Sequence, residues 1–478
     1  MSQIIATSSK PARDRSTTSG VRLTSMPLLG WLLRRSFLMT ASRIFSLVML
    51  VTVIFTGLWF EDAKMGLATL LAWGIFWPLF TSLVTPTFGN LFCSICPHGF
   101  VGRWLNRHGL RKQFPKRLRG VWGGLILILL GYWLAAYAMP GAIGGSTRVT
   151  AWYFLVFSIM AFTVFFIYKD MAWCKHLCPL GRLLSLHSKA SVLSITTDKA
   201  DCQSCRTFEC ATSCEYHLSP FLFEKRNNMD ACTLCLDCVS ACDSVHLTAN
   251  LPGQALKKPI LNQDRNDMWV YLIIFAVAGV GIQFLHGLHH TPLKPHLPWT
   301  IMGEWLHSIT AVGTSFISFS GLIALIMALT ITLITAAWGY HRAAQLAEVN
   351  WRSAANTLSV ALAPVAIIGL IPHALSVFAT RTAHNIGNEV GSLMGYSWQF
   401  EPLAVRGDAW ISWLSWLPYI AMVWALWLVW QRASLLVSSR KEQIKIWFYG
   451  ALPIFLYISV FLIKILSFVF MAEAAHHH

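Results

Sequence analysis

Residues 201–215 have the sequence DCQSCRTFECATSCE, and residues 231–243 have the sequence ACTLCLDCVSACD. The second segment spaces its cysteines as C-x2-C-x2-C-x3-C, a run in which three thiolates bind one cubane [4Fe–4S] cluster and the fourth binds a neighbouring cluster. The first segment has the same order of cysteines with two additional residues between its second and third. The eight cysteines, as many as two clusters need, are Cys202, Cys205, Cys210, Cys214, Cys232, Cys235, Cys238 and Cys242.

The fourth cysteine of each segment is expected to serve the cluster of the other segment. This crossed rule predicts one cluster bound by Cys202, Cys205, Cys210 and Cys242, and a second bound by Cys232, Cys235, Cys238 and Cys214. Disulfides and zinc sites are the alternatives, but disulfides suit an oxidising compartment and four-cysteine zinc sites usually show two separated C-x2–4-C pairs. The longer gap in the first segment and the missing proline after each fourth cysteine depart from the pattern and bear on the crossed assignment.

The composition is that of a polytopic membrane protein. Of the 478 residues, 55% are hydrophobic and only 12% are charged. We predict an all-α membrane protein of about nine transmembrane helices with an inserted bacterial-type two-[4Fe–4S] ferredoxin-like domain. The apolar runs long enough to cross a bilayer lie at 40–60, 65–88, 121–140, 151–168, 268–288, 308–338, 353–380, 409–430 and 446–471.

These spans divide the chain into four predicted parts. Residues 1–36 form a basic cytoplasmic tail, expected to be disordered because its first 25 residues are rich in Ser and Thr. Residues 37–197 form a four-helix membrane unit. Residues 198–267 form the cluster domain, and residues 268–475 form a five-helix membrane unit.

Positive charge is unevenly distributed between the predicted loops. The chain has a formal net charge of +16, and many of its Lys and Arg residues lie in the loops 98–119 and 431–445. Because positively charged loops stay on the cytoplasmic side, alternating spans place the N-terminus and the clusters in the cytoplasm and the C-terminus in the periplasm. We therefore predict a multi-pass protein of the bacterial inner membrane that binds lipid and no nucleic acid, with reduced cysteines.

A duplicated motif precedes the cluster segment. Residues 92–99 have the sequence FCSICPHG and residues 173–181 the sequence WCKHLCPLG, each just past the cytoplasmic end of a span. The proline ends the helical run and the glycine permits a tight turn, so we expect the thiols at the membrane surface. Redox pairs or a metal site, including one site shared by both motifs, are open interpretations, and buried structural cysteines are the alternative. The cysteines are Cys93, Cys96, Cys174 and Cys178.

This combination of motifs resembles the membrane-bound polyferredoxins of the NapH, NosR and CcoG type over about residues 40–250. The resemblance implies cluster ligands within 202–242 and a redox role for the four Cys-Pro cysteines. It also implies electron transfer between the quinol pool or cytoplasmic donors and periplasmic metalloproteins, or reduction of metal during cofactor assembly. The chain departs from the pattern in its first C-x2-C-P pair and in lacking an extracytoplasmic flavin-binding domain. Its five additional spans resemble the FtrD-type polyferredoxin of ferrous iron uptake systems.

Histidines near the outer ends of spans are candidate ligands. His286 ends the fifth span, His307 enters the sixth and His373 lies in the seventh. Histidine within a span tends to face the helix bundle, so a pair such as His286 and His373 is a candidate for b-type haem, a further metal centre or a quinol site. Residues 286–296, HGLHHTPLKPH, are also a candidate copper or iron site. Interfacial side chains that hydrogen-bond to water or carbonyls are the alternative.

The sequence predicts a membrane electron-transfer protein that connects cytoplasmic [4Fe–4S] clusters with an extracytoplasmic redox partner or the quinone pool. Its partners are expected to be a ferredoxin, flavodoxin or quinol donor and an extracytoplasmic metalloprotein or permease. The alternative is an accessory component of iron or copper uptake, or of metalloenzyme assembly, that supplies or accepts electrons for the metal. Quinol dehydrogenase or metal reductase activity is an open interpretation of either role.

Overall fold

The structure of the chain is a computed structural model that describes residues 20–60, 62, 66–223, 228–259, 267–310, 317–405 and 407–475. Within this part of the chain, eight helices are long and apolar enough to cross a membrane, and a shorter apolar helix spans Trp122–Ala138. The prediction of an all-α multi-pass membrane protein is therefore confirmed. The eight long helices are Ser36–Trp59, Leu67–Phe88, Thr147–Ile167, Met268–His290, Phe319–Leu346, Trp351–Leu393, Ala409–Ala433 and Leu452–Phe470.

The membrane helices differ in how far they are enclosed by others. In the helix Met268–His290, 78% of an apolar stretch of 18 residues is buried within the protein. In Ser36–Trp59 the corresponding share is 17%. The helix Met268–His290 packs against Phe319–Leu346 in the centre of the second bundle, which consists of the membrane helices after the cluster segment. The helix Ser36–Trp59 packs against Thr147–Ile167 and leaves most of its surface to lipid.

Two predicted spans have different bounds in the structure. The predicted span 308–338 is replaced by a separate helix, Pro298–Thr310, and the long helix Phe319–Leu346. The long helix begins there because the Ser318 hydroxyl accepts a hydrogen bond from the backbone N–H of Gly321 at 3.1 Å. The predicted span 446–471 begins as the helix Arg440–Gly450 and continues as Leu452–Ala475.

Shorter helices carry the cysteine motifs at one end of the membrane helices. The two Cys-Pro motifs lie on Leu91–Ile95, Pro97–His108, Trp173–Leu177 and Pro179–His187. The cluster segment contributes Lys199–Ser204, Glu209–Thr212 and Asp237–Ala241. The Asn90 side-chain amide donates to the carbonyl of Cys232 at 3.0 Å. This hydrogen bond joins the cluster segment to the end of Leu67–Phe88, a helix of the first bundle, which consists of the membrane helices before the cluster segment.

The cluster segment contains an antiparallel three-stranded sheet in the order β1-β3-β2. Strand β1 is Val21–Arg22, β2 is Leu193–Thr197 and β3 is Val245–Ala249. Val21 pairs with Ala249, and on the other side of β3 Ile195 pairs with Leu247.

Strand β1 departs from the prediction of a disordered tail up to residue 36. Residues 20–36 are structured because β1 adds backbone hydrogen bonds along one edge of β3. Arg22 also forms an ion pair with Asp198 at 2.7 Å, and the Thr24 hydroxyl hydrogen-bonds His246 at 3.0 Å. The rest of the predicted tail, residues 1–19, lies outside the described residues.

Arg432 ties the end of the cluster segment to the second bundle. Its side chain is fully buried and donates to the backbone carbonyls of Leu256 at 2.5 Å, Lys258 at 3.2 Å and Thr357. These carbonyls belong to the segment that leaves the clusters and to a helix of the membrane domain. One guanidinium thus satisfies buried acceptors from two parts of the fold.

We expect Arg432→Met to lower the stability of the protein in detergent. Up to three buried carbonyls lose their donor, at a cost of about 2–4 kcal/mol. The change is measured as the temperature at which half of the purified protein aggregates. Arg440→Met, on an exposed arginine, is the control and should leave that temperature within about 1 °C. Equal losses in both variants would contradict the anchoring role.

Candidate functional site

The structure brings the eight cysteines of the cluster segment into two sets of four. The thiol of Cys210 lies within electrostatic range of those of Cys202, Cys205 and Cys242, which we call the first thiol set. A cavity of about 360 Å³ is lined by Cys214, Cys232, Cys235 and Cys238, which we call the second thiol set. This grouping has the crossed pattern in which each segment lends its fourth cysteine to the other.

Left-handed backbone turns form the loops that carry these cysteines. Phe208, Leu234 and Leu236 have φ values of 50°, 53° and 60°, which cost about 1–2 kcal/mol each for residues with a Cβ. The turns point amide groups at sulfur, because the N–H of Leu234 donates to the Cys232 Sγ at 3.5 Å. Strained backbone of this kind persists where the surrounding structure enforces it, often at functional sites. Here it directs thiols and N–H donors towards one centre.

The pKa values of the thiols show what the two sets can hold. Burial raises the pKa of Cys210 and Cys235 to about 11 and that of Cys232 to about 12, with further increases from neighbouring thiols at Cys210 and Cys232 and from the Asp237 carboxylate at Cys235. Four thiolates at such close range therefore need a bound cation, which favours the deprotonated form. An iron–sulfur core supplies that charge, and the residues of both sets fit it.

The two sets lie at different depths. Cys235 and Cys238 are each 8% exposed, and their cavity is lined by apolar side chains such as Ile195 and Phe223. The first set lies among exposed polar residues, including Arg206 and Glu209. Three thiols of the first set are partly exposed and Cys210 is buried, whereas the second set lies towards the membrane helices through Tyr216 and Asn90.

The two Cys-Pro motifs meet and form a third group of cysteines. The thiol of Cys93 lies within electrostatic range of those of Cys96, Cys174 and Cys178, and we call these four the third thiol set. The residue before each proline has nearly the same backbone conformation, with φ and ψ of −57° and 126° at Cys96 and −61° and 116° at Cys178. The duplication in sequence is therefore a duplication in geometry.

Two side chains connect the second and third thiol sets. Tyr216, which is 5% exposed, hydrogen-bonds the Cys174 thiol and packs in one apolar cluster with Cys178 and Cys214. Arg103 forms an ion pair at 3.0 Å with Asp237, the residue between two cysteines of the second set. The same guanidinium interacts with the thiols of Cys174 and of Cys235, so it lies between the two sets.

The four cysteines of the third thiol set are partly buried. Burial and the neighbouring thiols raise the pKa of Cys93 and Cys174 well above the usual range, and burial raises that of Cys96 to about 12. Beside them, burial lowers the pKa of His98 to about 4, so its imidazole is neutral at pH 7. The His98 Nε2 lies 2.9 Å from the Ser158 hydroxyl.

An aromatic cavity adjoins the third thiol set inside the first bundle. It includes Cys178 and His98 among its lining residues. The Trp73 indole N–H donates to the Thr150 hydroxyl at 2.9 Å, which fixes one wall of the cavity. Its other aromatic walls include Trp77, Tyr132 and Tyr153.

The histidines predicted as ligands are only partly brought together. The rings of His286 and His373 lie 5.9 Å apart, and those of His286 and His290 lie 6.4 Å apart. His307 packs its ring against Phe319 at 4.7 Å. The pair His286 and His373 therefore stays a candidate site, at the end of Met268–His290 remote from the clusters.

The structure was also compared with the ligand arrangement of a single bound metal ion. No group of three or more His, Cys, Asp or Glu side chains there converges as the ligands of one metal ion do. Thiols that bind a cubane lie further apart, because each of them binds a different iron atom of the core.

Sequence reasoning identified every cysteine but missed the residues between the sets. The sequence places Arg103 in the positively charged loop 98–119 without a role at the clusters, and it does not distinguish Tyr216 or Asp237 from their neighbours. A carboxylate inside a cysteine run was the available signal for Asp237, because a charge so close to a cluster affects its potential. Lys225 and Arg226, further basic residues of the segment, lie outside the described residues.

Comparisons with known proteins give matches to part of the chain. The family described as "4Fe-4S binding domain" matches residues 69–120 and 150–192. The regulatory protein NosR of Pseudomonas aeruginosa is 26% identical over 227 residues, which are 39% of this chain and 31% of NosR. The ferredoxin-type protein NapH of Haemophilus influenzae is 29% identical over 176 residues, which are 32% of this chain and 59% of NapH.

A third relative is the putative electron transport protein YccM of Escherichia coli, 26% identical over 131 residues, which are 26% of this chain and 35% of YccM. The chain thus spans about a third to three fifths of the length of these relatives. No solved structure matches it.

The apolar helices, the cysteine motifs and the matched family define a multi-pass helical membrane protein with a 4Fe-4S binding domain, similar to relatives named for electron transport. More particularly, the resemblance to the NapH- and NosR-like membrane polyferredoxins that the sequence predicted is confirmed.

Proposed function

We propose that the protein transfers single electrons between a donor or acceptor that docks at the first thiol set and a redox partner reached through the membrane helices. Two [4Fe–4S] clusters are bound, one by each of the first two sets. Each transfer oxidises one centre and reduces the next by one electron, and no bond or proton changes at the cysteines. The observation that carries this proposal is the grouping of eight thiols into two sets of four, one among exposed polar residues and one around an apolar cavity.

The surroundings of the two thiol sets indicate which set exchanges electrons with a soluble partner and which exchanges them with the membrane helices. Three thiols of the first set are partly exposed, and the exposed Arg206 beside them suits an acidic ferredoxin or flavodoxin. The second set adjoins the first membrane bundle through Tyr216 and Asn90. In the proposed orientation both lie on the cytoplasmic side of a bacterial inner membrane, and the C-terminus is periplasmic. The partner on the outer side is an extracytoplasmic metalloprotein or permease.

The experiment that tests this function is a spectroscopic titration of anaerobically purified protein. Reduction by a low-potential ferredoxin or by dithionite should bleach the visible absorption and give an EPR signal from two interacting cubane clusters. Protein that holds no iron or acid-labile sulfide would overturn the proposal.

The aromatic cavity favours the quinone pool as one of the redox partners. Its aromatic walls suit a quinol ring, and it adjoins the thiol of Cys178. A quinol that becomes a quinone gives up two electrons, one at a time, and two protons. The neutral imidazole of His98 at the wall can accept one of these protons.

Narrowing this cavity is expected to slow electron transfer from quinol. We expect Leu180→Trp to fill the space beside Cys178 and to decrease the rate of cluster reduction by decylubiquinol at least about tenfold, equivalent to about 1.4 kcal/mol. Stopped-flow bleaching of the clusters measures this rate. Reduction by dithionite should be unchanged.

Ile126→Trp is the matched control, because Ile126 is 51% exposed on a neighbouring helix and should tolerate the added ring. An unchanged quinol rate in Leu180→Trp would exclude the cavity as the quinol site.

The histidine group supports the second candidate function, a role in metal uptake or metalloenzyme assembly. The imidazole of His286 lies 6.4 Å from that of His290 and 5.9 Å from that of His373, at the end remote from the clusters. Imidazole suits copper, iron and zinc, and the clusters would supply electrons to the metal. Equilibrium dialysis against Fe(II) and Cu(I), with His373→Ala as the comparison, tests this role. A haem band lost in that variant would identify b-type haem instead.

A further inference from the structure

A strongly basic loop follows the first Cys-Pro motif. Residues 109–119 have the sequence GLRKQFPKRLR, and we call them the basic loop. The loop connects the helix Pro97–His108 to the apolar helix Trp122–Ala138, and all of its charged residues are Lys or Arg. The orientation of a membrane protein accounts for positive charge in such a loop, but it does not require the loop to have a fixed shape.

Backbone hydrogen bonds hold the basic loop against the end of a membrane helix. The N–H of Leu110 donates to the carbonyl of Phe166 at 2.7 Å, and the N–H of Lys112 donates to the carbonyl of Ile167 at 2.9 Å. These carbonyls belong to the last turn of the helix Thr147–Ile167. The loop therefore lies level with the end of a membrane helix, where the headgroups of a bilayer lie.

A buried aromatic side chain fixes the middle of the loop. Phe114 is buried, and its ring stacks on that of His176 with the centroids 5.0 Å apart. The Arg119 guanidinium donates to the Phe114 carbonyl at 3.0 Å. His176 belongs to the second Cys-Pro motif, so the loop and that motif form one packed unit. A surface that is already ordered loses little conformational entropy when it binds a ligand.

The cations of the basic loop are not neutralised by the protein. In the preceding helix, Arg103 pairs with Asp237 and Arg107 pairs with Glu215. By contrast, no ion pair within the described residues involves the exposed basic side chains of the loop. These side chains are Arg111, Lys112, Lys116 and Arg117.

Apolar side chains are exposed beside these cations. Leu110 and Leu118 in the loop and Trp104 in the preceding helix are each more than half exposed. A surface that combines free cations with exposed Leu and Trp side chains suits the boundary between headgroups and acyl chains. A docking site for an acidic soluble protein has no need of apolar side chains at the level of the bilayer surface, so the combination favours lipid.

We propose that the basic loop binds the phosphate headgroups of anionic phospholipids in the leaflet at this end of the membrane helices. The guanidinium and ammonium groups of Arg111, Lys112, Lys116 and Arg117 donate to the phosphate oxygens. Leu110 and Leu118 enter the acyl boundary. Because Phe114 packs on His176, the bound lipid also holds the second Cys-Pro motif at the membrane surface.

A lipid titration of the intact chain in a neutral detergent tests the proposal. Dioleoylphosphatidylglycerol is the anionic probe, dioleoylphosphatidylcholine is the zwitterionic one, and native mass spectrometry counts the lipid retained. We expect Lys116→Gln with Arg117→Gln to lower the affinity for phosphatidylglycerol about tenfold or more and to leave that for phosphatidylcholine unchanged. Added salt should weaken phosphatidylglycerol binding less in this variant than in the intact chain.

Arg440→Gln with Lys441→Gln is the matched control. It also removes two exposed, adjacent cations, but from a loop in which Glu442 follows them directly. Its affinity for phosphatidylglycerol should stay within about twofold of that of the intact chain. The iron content of both double variants should be unchanged, because none of the four side chains touches a cysteine.

Three results would overturn the proposal. One is equal affinity of the intact chain for the two lipids, and this comparison also decides the matter if the double variant does not accumulate. Another is an equal loss in both double variants, which would show that only net charge matters. The third is unchanged phosphatidylglycerol binding in the Lys116 and Arg117 variant together with lost binding of an acidic ferredoxin, which would assign the surface to a protein.

Discussion

Cys214→Ser is expected to abolish the cluster of the second thiol set and leave that of the first intact. The reason is the crossed grouping, in which Cys214 follows three cysteines of the first set in sequence but lines the cavity of the second. A serine at one of four positions weakens iron binding because an alcohol is a much poorer ligand than a thiolate at pH 7. About four iron per chain should be lost, and electron transfer from the docked donor to the membrane helices should cease.

Two reference variants show which cluster is missing. Cys202→Ser removes a ligand of the first set and Cys232→Ser a ligand of the second, whichever way the fourth cysteines are shared. EPR spectra of Cys214→Ser should match those of Cys232→Ser, and spectra of Cys242→Ser should match those of Cys202→Ser. The reverse matches would show that each sequence segment binds its own cluster, in contradiction to the grouping of the thiols.

Arg103→Leu is expected to lower the reduction potential of the centre in the second thiol set by about 50–100 mV, equivalent to about 1–2 kcal/mol for one electron. Reduction adds a negative charge, and a nearby cation stabilises it, so its removal makes reduction less favourable. Asp237 partly offsets this cation, at 3.0 Å, and gains influence when the arginine is absent. Asp237→Asn should therefore shift the potential upward.

Redox titration followed by EPR measures these shifts. Arg103→Lys retains the charge and should remain within about 30 mV of the intact protein. Arg107→Leu removes a cation one turn further along the same helix, where the side chain is 68% exposed and solvent screens it, so its effect should be small. Equal shifts in Arg103→Leu and Arg107→Leu would show that only net charge matters, not the position between the two sets.

Much of the membrane architecture follows from composition and length, since an apolar run of about 20 residues has few alternatives to a spanning helix. The failures are at helix ends. The span predicted at 308–338 is divided between two helices. The longer one starts at Phe319 after the N-cap residue Ser318, and hydropathy alone does not predict that start. Pro78 likewise lies inside Leu67–Phe88 without ending it, because π-helical turns absorb the missing hydrogen bond.

The cysteine sets were predictable because their spacing is local, whereas the groups around them were not. Strand β1 and its partner β3 meet through contacts such as Thr24 to His246, 222 residues apart in sequence. Tyr216 and Arg103 also act across motifs that do not adjoin along the chain. Such contacts depend on how helices pack, which periodicity and spacing do not specify.

The same long separation sets the order in which the protein can be made. Strand β1 leaves the ribosome early, but the strand that it pairs with follows only after the whole first bundle has been synthesised. The sheet beside the clusters therefore closes only once those helices have been delivered to the lipid phase. The apolar cluster that encloses Cys238 includes residues of β2 and β3, so this cluster too is complete only after the first bundle has been synthesised.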